Sequence, residues 1–139
     1  MATKVKAQDV AVLNASPSDA SSKRTHVNAN ISFQTINTSG DELHAVTAGT
    51  TFYLTDLILT VINSNTADSI CSIKDDTTVL IPFLSGGSTT EGNGQLIIIH
   101  TFKEPIPFST SVDIFSGNAS GVVASCVIAG YEEESDLKS

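Results

Sequence analysis

The residues able to do chemistry are few and scattered. His26, His44 and His100 have no i,i+2 or i,i+4 partner that would make a metal-ligand pair, so surface or edge positions account for them. Asp56 stands inside the most apolar run of the chain. A lone carboxylate there is costly unless it is paired or hydrogen-bonded. A partner such as Lys74, Lys103, a backbone amide or a symmetry-related subunit is expected. Without a placed acid or base beside it, Asp56 does not make a hydrolase. Cys71 and Cys126 lie too far apart for a CxxC redox pair or a metal knuckle, and both sit in strand-like runs. They read as two buried, reduced thiols acting as small hydrophobes.

The Asp75-Asp76 pair lacks the further spaced oxygen ligands of a calcium loop and reads as a tight turn. Gly86-Gly87 and Gly92-x-Gly94 do not lead from a strand into a helix and carry no Lys-Ser/Thr, which rules out a phosphate cradle. Ser is abundant, yet no GxSxG elbow occurs. The expectation is therefore a protein with no catalytic residues, no cofactor and no metal.

Charge narrows the partners. The 139 residues carry a net charge of −8, but residues 1 to 28 are net +2 (Lys4, Lys6, Lys23 and Arg24 against Asp9 and Asp19) and the remainder −10. With seven basic residues in all, no broad cationic face for nucleic acid can be built. No long apolar run suits a membrane span, and the first ten residues lack the apolar stretch of a signal peptide, so synthesis in a cytoplasm is the expectation.

The elements that must position these residues are strands. Val, Ile, Thr, Phe and Tyr outnumber the strong helix formers, and 40% of residues are hydrophobic. Residues 1 to 28 read as an extended arm: a short alternating piece with Val5, Val10, Val12 and Leu13, then a Ser-rich joint. A half-buried strand starts near Ala29, and a weak one spans Glu42 to Thr47. Thr51 to Ile62 is apolar on both alternating sets, Phe52/Leu54/Ile58/Ile62 and Tyr53/Leu57/Leu59/Val61, which predicts a central strand covered on both faces.

Ser69 to Lys74 and Thr77 to Phe83 read as a hairpin, with Pro82 at an edge or bulge. The glycine-rich stretch 84 to 94 reads as a mobile loop. Gln95 to Phe102 follows as a buried strand, and Pro105 and Pro107 mark an edge or a crossing between sheets. Ser111 to Phe115 and Gly121 to Tyr131 are expected to pair with one another, and the acidic tail from Glu132 is too charged to pack. About eight strands at roughly ten-residue intervals indicate an all-β fold, an antiparallel β-sandwich or jelly-roll-like barrel at 29–133, with the arm at 1–28 and a flexible acidic tail at 134–139.

Two stretches carry a resemblance: Gly49-Thr-Thr-Phe-Tyr-Leu-Thr-Asp-Leu-Ile-Leu-Thr60, and Lys103-Glu-Pro-Ile-Pro-Phe108 through Gly121-Val-Val-Ala-Ser-Cys-Val-Ile-Ala-Gly-Tyr-Glu-Glu133. Over residues 49 to 133 the chain resembles small bacteriophage virion proteins, in particular capsid decoration or cement proteins and related β-sandwich domains of fibres. The resemblance implies a structural, non-enzymatic protein on the capsid surface. It also implies a homo-oligomer, with a trimer favoured, that binds the major capsid protein lattice or another virion protein. The arm residues Val5, Val10, Val12 and Leu13 are the expected partner-binding side chains. The alternative is a receptor- or carbohydrate-binding module of a fibre or spike. Exposed aromatics would be needed for stacking on sugars, and the chain has no Trp and two Tyr.

A body held by apolar burial alone melts independently of reductant and chelator. Thermal melts with and without both reagents should coincide, whereas a fall of well over ~10 °C on reduction would reveal a stabilising disulfide of ~2–4 kcal/mol.

Overall fold

The computed structural model describes residues 24–134, which form eight strands and no helix. These are β1 (Thr25–Thr35), β2 (Asp41–Ala45), β3 (Thr50–Asn63), β4 (Ser69–Asp75), β5 (Thr78–Ser85), β6 (Gly94–Phe108), β7 (Ser111–Phe115) and β8 (Val122–Glu134). They make two antiparallel four-stranded sheets, one in the order β1-β8-β3-β6 and the other β2-β7-β4-β5. One core, including Phe52, Leu57, Leu59, Ile73, Phe108, Ile114 and Ile128, draws on both sheets, giving the expected β-sandwich-like arrangement.

The long apolar run is β3, paired with β8 on one side and β6 on the other. Its two apolar sets do not correspond to two covered faces. Against β8, Leu54 pairs with Gly130 and Asp56 with Ala129, so Thr55 is an extra residue, a β-bulge. Because side chains alternate with period two, that single residue moves the inward set from Phe52 and Leu54 to Leu57, Leu59 and Val61. The other set points out, and Ile58 is exposed. Apolar residues on both phases were required by the phase change, and the outer face is open among the described residues.

Gly130 makes this bulge fit. A Cβ there would strike the Tyr53 carbonyl oxygen and the Phe52 ring. Thr55 Oγ1 lies 3.1 Å from the Ala129 carbonyl and 2.8 Å from an Asp56 carboxylate oxygen, its single proton shared between the two acceptors across the bulge.

The β4–β5 hairpin turns at Asp76, which adopts a positive φ of 56° that Asp tolerates in tight turns. Both prolines-at-an-edge readings hold in one form: β5, with Pro82, and β6, with Pro105 and Pro107, are edge strands of their sheets. β6 stays in its sheet and makes no crossing there. Three readings need correction. β7 and β8 do not pair across residues 116 to 120; β7 lies between β2 and β4, and β8 between β1 and β3, so the connection crosses from one sheet to the other. The acidic tail does not begin at Glu132, because β8 continues to Glu134 and pairs with Thr50–Phe52. β1 begins at Thr25 rather than near Ala29.

The glycine-rich stretch is also tied down. Gly87 N–H donates to Asp68 Oδ1 at 2.8 Å, and Ser88 N–H to the Asn65 carbonyl at 2.7 Å. A Cβ at Gly87 would meet the Thr66 backbone, so glycine serves close approach here and not mobility.

Replacing Gly130 by Ala should lower stability by about 1–3 kcal/mol through overpacking against backbone. Urea titration measures this directly, and a change under ~0.5 kcal/mol would show that the bulge has room to relax.

Candidate interaction surface

Each sequence-predicted residue within 24–134 has a definite place. Val5, Val10, Val12 and Leu13 lie outside the described residues. Asp56 sits at the bulge on the outer face, where neither lysine meets it: Thr101 Oγ1 donates to one carboxylate oxygen at 2.7 Å and Thr55 Oγ1 to the other at 2.8 Å. The two hydroxyls hold its pKa below the usual carboxylate range.

His44 and Glu132, far apart in sequence, are brought together. Glu132 is on the inward face of β8, buried, and His44 Nε2 stands 2.5 Å from its Oε2, while the Thr47 N–H donates to the same oxygen at 3.2 Å. The imidazole also packs on Phe52, ring centroids 5.2 Å apart. Burial alone would raise the Glu132 pKa, but hydrogen bonds from Thr47 and His44 outweigh it and hold the group below its ordinary range. What this arrangement does is bolt β2 of one sheet to β8 of the other at one end of the sandwich.

The opposite end of β3 is closed by an amide. Buried Asn63 donates through Nδ2 to the carbonyls of Ala67, Ser85 and Gly86 at 3.0–3.3 Å and accepts the Asn65 N–H at 2.9 Å. Asn65 Nδ2 in turn donates to the Ser120 carbonyl at 2.8 Å. Asp75, expected as a plain turn residue, accepts from Ser109 N–H and Oγ and from the N–H groups of Thr110 and Ser111 at 2.8–3.2 Å. Burial pushes its pKa up, and these bonds, backbone ones foremost, pull it down further than that. Its oxygens brace the β6–β7 connection. Among the described residues no group of three or more His, Cys, Asp or Glu could hold a metal ion.

Cys71 and Cys126 are buried and not bonded to each other, and burial pushes the Cys126 thiol up to about 12, so it stays protonated. His26 is exposed on β1 opposite Tyr131, and His100 is exposed on β6 with its ring edge-on to Phe102 at 4.6 Å. Tyr53 and Tyr131 stack at 5.2 Å on the outer face, and Arg24 lies 4.4 Å over the Tyr131 ring while its Nε donates to Glu133 at 2.9 Å.

What remains is surface. Ile58, Ile97, Ile99 and Val127 are exposed on the outer face of β3, β6 and β8, and Ile70, Val79 and Leu84 on β4 and β5. Sequence reasoning assigned Ile58, Ile97 and Ile99 to covered positions, since alternation alone does not reveal which phase faces inward, and placed Leu84 in a loop. The one signal available was the surplus of apolar residues over what a single inner face can hold. Compared with protein-family models and with curated proteins, the chain matches none.

Replacing Glu132 by Ala leaves His44 and the Thr47 N–H without their acceptor and should cost about 1–3 kcal/mol. The sign with pH follows from the depressed pKa: the carboxylate's contribution is complete above the ordinary glutamate range and fades as the pH falls through the lower folded value. Denaturant titrations of wild type and Glu132→Gln across that range should therefore converge on acidification; a gap that widened would contradict the bridge.

Proposed function

We propose that the chain is a structural virion protein that binds and reinforces an assembled phage capsid, acting through contact surfaces and not through catalysis. The observation that carries this is strand order. Eight strands arranged β1-β8-β3-β6 against β2-β7-β4-β5 fit a jelly roll, two interleaved Greek keys, an architecture used by viral capsid and lectin domains. Fold and function are separable, so the surface has to add to the argument. It does so through two edge strands in each sheet, unpaired on one side among the described residues, and apolar residues turned outward.

The carbohydrate-binding alternative asks for open aromatic faces. Here the two tyrosines face each other and Arg24 covers Tyr131, so both rings are engaged with protein, and Phe33 on β1 is the exposed aromatic among the described residues that could offer a face.

The arm, which the start of β1 at Thr25 limits to the residues before it, supplies reach in this reading. At about 3.3 Å per residue, thirteen residues such as Met1 to Leu13 would span roughly 40 Å if fully extended, beyond the ~15 Å radius of a domain this size. Strand addition to a neighbouring capsid subunit would satisfy backbone groups and bury Val5, Val10, Val12 and Leu13, each worth about 1.5–3 kcal/mol when fully buried. Ordering costs of about 1–2 kcal/mol per residue nearly cancel this for one arm, so firm attachment requires several arms on one oligomer.

Deleting residues 2 to 13 should leave the melting temperature of the body unchanged and lower occupancy on purified particles about tenfold, equivalent to ~1.4 kcal/mol per oligomer. Quantitative mass spectrometry of particles from the source virus measures this. Unchanged occupancy would remove the arm from the account, and absence of the chain from particles would remove the capsid reading.

A further inference from the structure

Each sheet has two edge strands, and three of these four are blunted. β1 breaks register between Ile31 and Gln34, with Phe33 at a positive φ of 32°; β2 is five residues long and opens with Asp41 and Glu42; β5 holds Pro82. Such devices keep an edge from pairing with further chain. The first half of β6 has none of them. Gly94 to Thr101 pair residue for residue with Asn63 to Asp56, and they include no proline and no Asp, Glu, Lys or Arg. Leu96 and Ile98 pack on the core but are only partly covered, while Ile97 and Ile99 turn outward and are 63% and 75% exposed. A regular, apolar edge of this kind is a template for one more strand.

We propose that in the free protein this edge is covered by residues 10–13 of the same chain, added as a short strand parallel to β6, with Val10 and Val12 beside Leu96 and Ile98, and Ala11 and Leu13 beside Ile97 and Ile99. Composition selects the segment. Val10-Ala11-Val12-Leu13 is apolar on both alternating phases, as Leu96-Ile97-Ile98-Ile99 is, so each residue meets a like neighbour. Residues 1–23, which lie outside the described residues, contain no other run of four apolar side chains. Asp9 shares the phase of Ala11 and Leu13 and fixes that phase outward, where a carboxylate keeps its water. The same register carries Lys6 toward the 84–94 segment, in which Glu91 is the one charged residue.

Reach selects the direction and the copy. Arg24 is held over Tyr131 and against Glu133, so the chain enters β1 at the end of the sheet where Tyr53 and Pro107 lie. From there a strand beside Ile99 is four strand spacings across and, from Glu133 to Val127, six residues along, roughly 28 Å in all. Leu13 to Arg24 can span about 36 Å when extended. In an antiparallel strand Leu13 would sit beside Leu96 instead, about 35 Å from Arg24 and at the limit of that span. The parallel strand is thus tethered with slack, at an effective concentration that a separate chain does not reach at micromolar protein. A cover of four residues undocks well before the body melts and leaves the melting temperature to the body. Docking in the free chain needs no capsid; an arm that pairs with a neighbouring subunit first leaves β6.

Disulfide trapping in the full-length chain at micromolar concentration tests this, with circular dichroism to check folding. Leu13→Cys/Ile99→Cys is compared with Leu13→Cys/Asn30→Cys; the native thiols, Cys71 and Cys126, are buried. Asn30 lies in the same cross-strand row as Ile99, through Val127 and Ile58, but on β1 and much nearer to Leu13 along the chain. An undocked segment therefore closes first on position 30, and a docked one on position 99. Closure within one chain should be about tenfold faster for the position 99 variant. Faster closure at position 30, or covalent dimers formed ahead of closed monomers, would overturn the proposal, the dimers by showing that the segment serves another copy. Hydrogen–deuterium exchange reads the same contact without cysteines: deleting residues 2 to 13 should speed exchange of the edge amides within 95–101 about tenfold and leave β1 unchanged. Unchanged rates at 95–101 would equally overturn it. Particle occupancy, measured separately, reports on the capsid reading alone.

Discussion

The fold depends on β3 changing phase at Thr55. Upstream, Phe52 and Leu54 face inward; downstream, Leu57, Leu59 and Val61 do. Without the bulge a fourteen-residue strand would turn half of its large side chains to solvent, since alternation is strict. β8 accommodates the change by placing Gly130 opposite the bulge, and β6 by looping Phe102 to Pro105 out of register between Ile106 and Thr101. Asp56 follows from the same event. It occupies the outward position just after the bulge, bridged by Thr55 and Thr101, and this explains a carboxylate in an otherwise apolar run.

Polar groups then fix the two ends that apolar packing leaves undetermined. The Glu132–His44 bridge holds the sheets together near Phe52, and Asn63 gathers the carbonyls of Ala67, Gly86 and the end of β5 at the other end of β3. Buried hydrogen bonds of this kind add modest net stability, but leaving them unmade is expensive, so they select one register among several apolar solutions.

What could be read from sequence was local. The β4–β5 hairpin, the edge positions of Pro82, Pro105 and Pro107, and the two thiols buried as hydrophobes follow from residue types and their immediate neighbours. The partners of β7 and β8 did not, because adjacency in sequence favours a hairpin while the sheets are joined by a crossing. Glu132 looked like the start of a solvated tail because its partner, His44, is 88 residues away. Asp75 looked like a plain turn residue for the same reason: the amides it binds belong to residues 109–111. The outward apolar face of β6 was hidden by abundance, since Ile97 and Ile99 are indistinguishable in sequence from Ile98, which packs against the core.

The dependence of the fold on the change of phase at Thr55 is tested most directly by deleting that residue and following thermal unfolding. The account predicts loss of the cooperative transition, because Leu57, Leu59 and Val61 would turn from the core to solvent. A deletion variant that melts cooperatively near the wild-type temperature would contradict it.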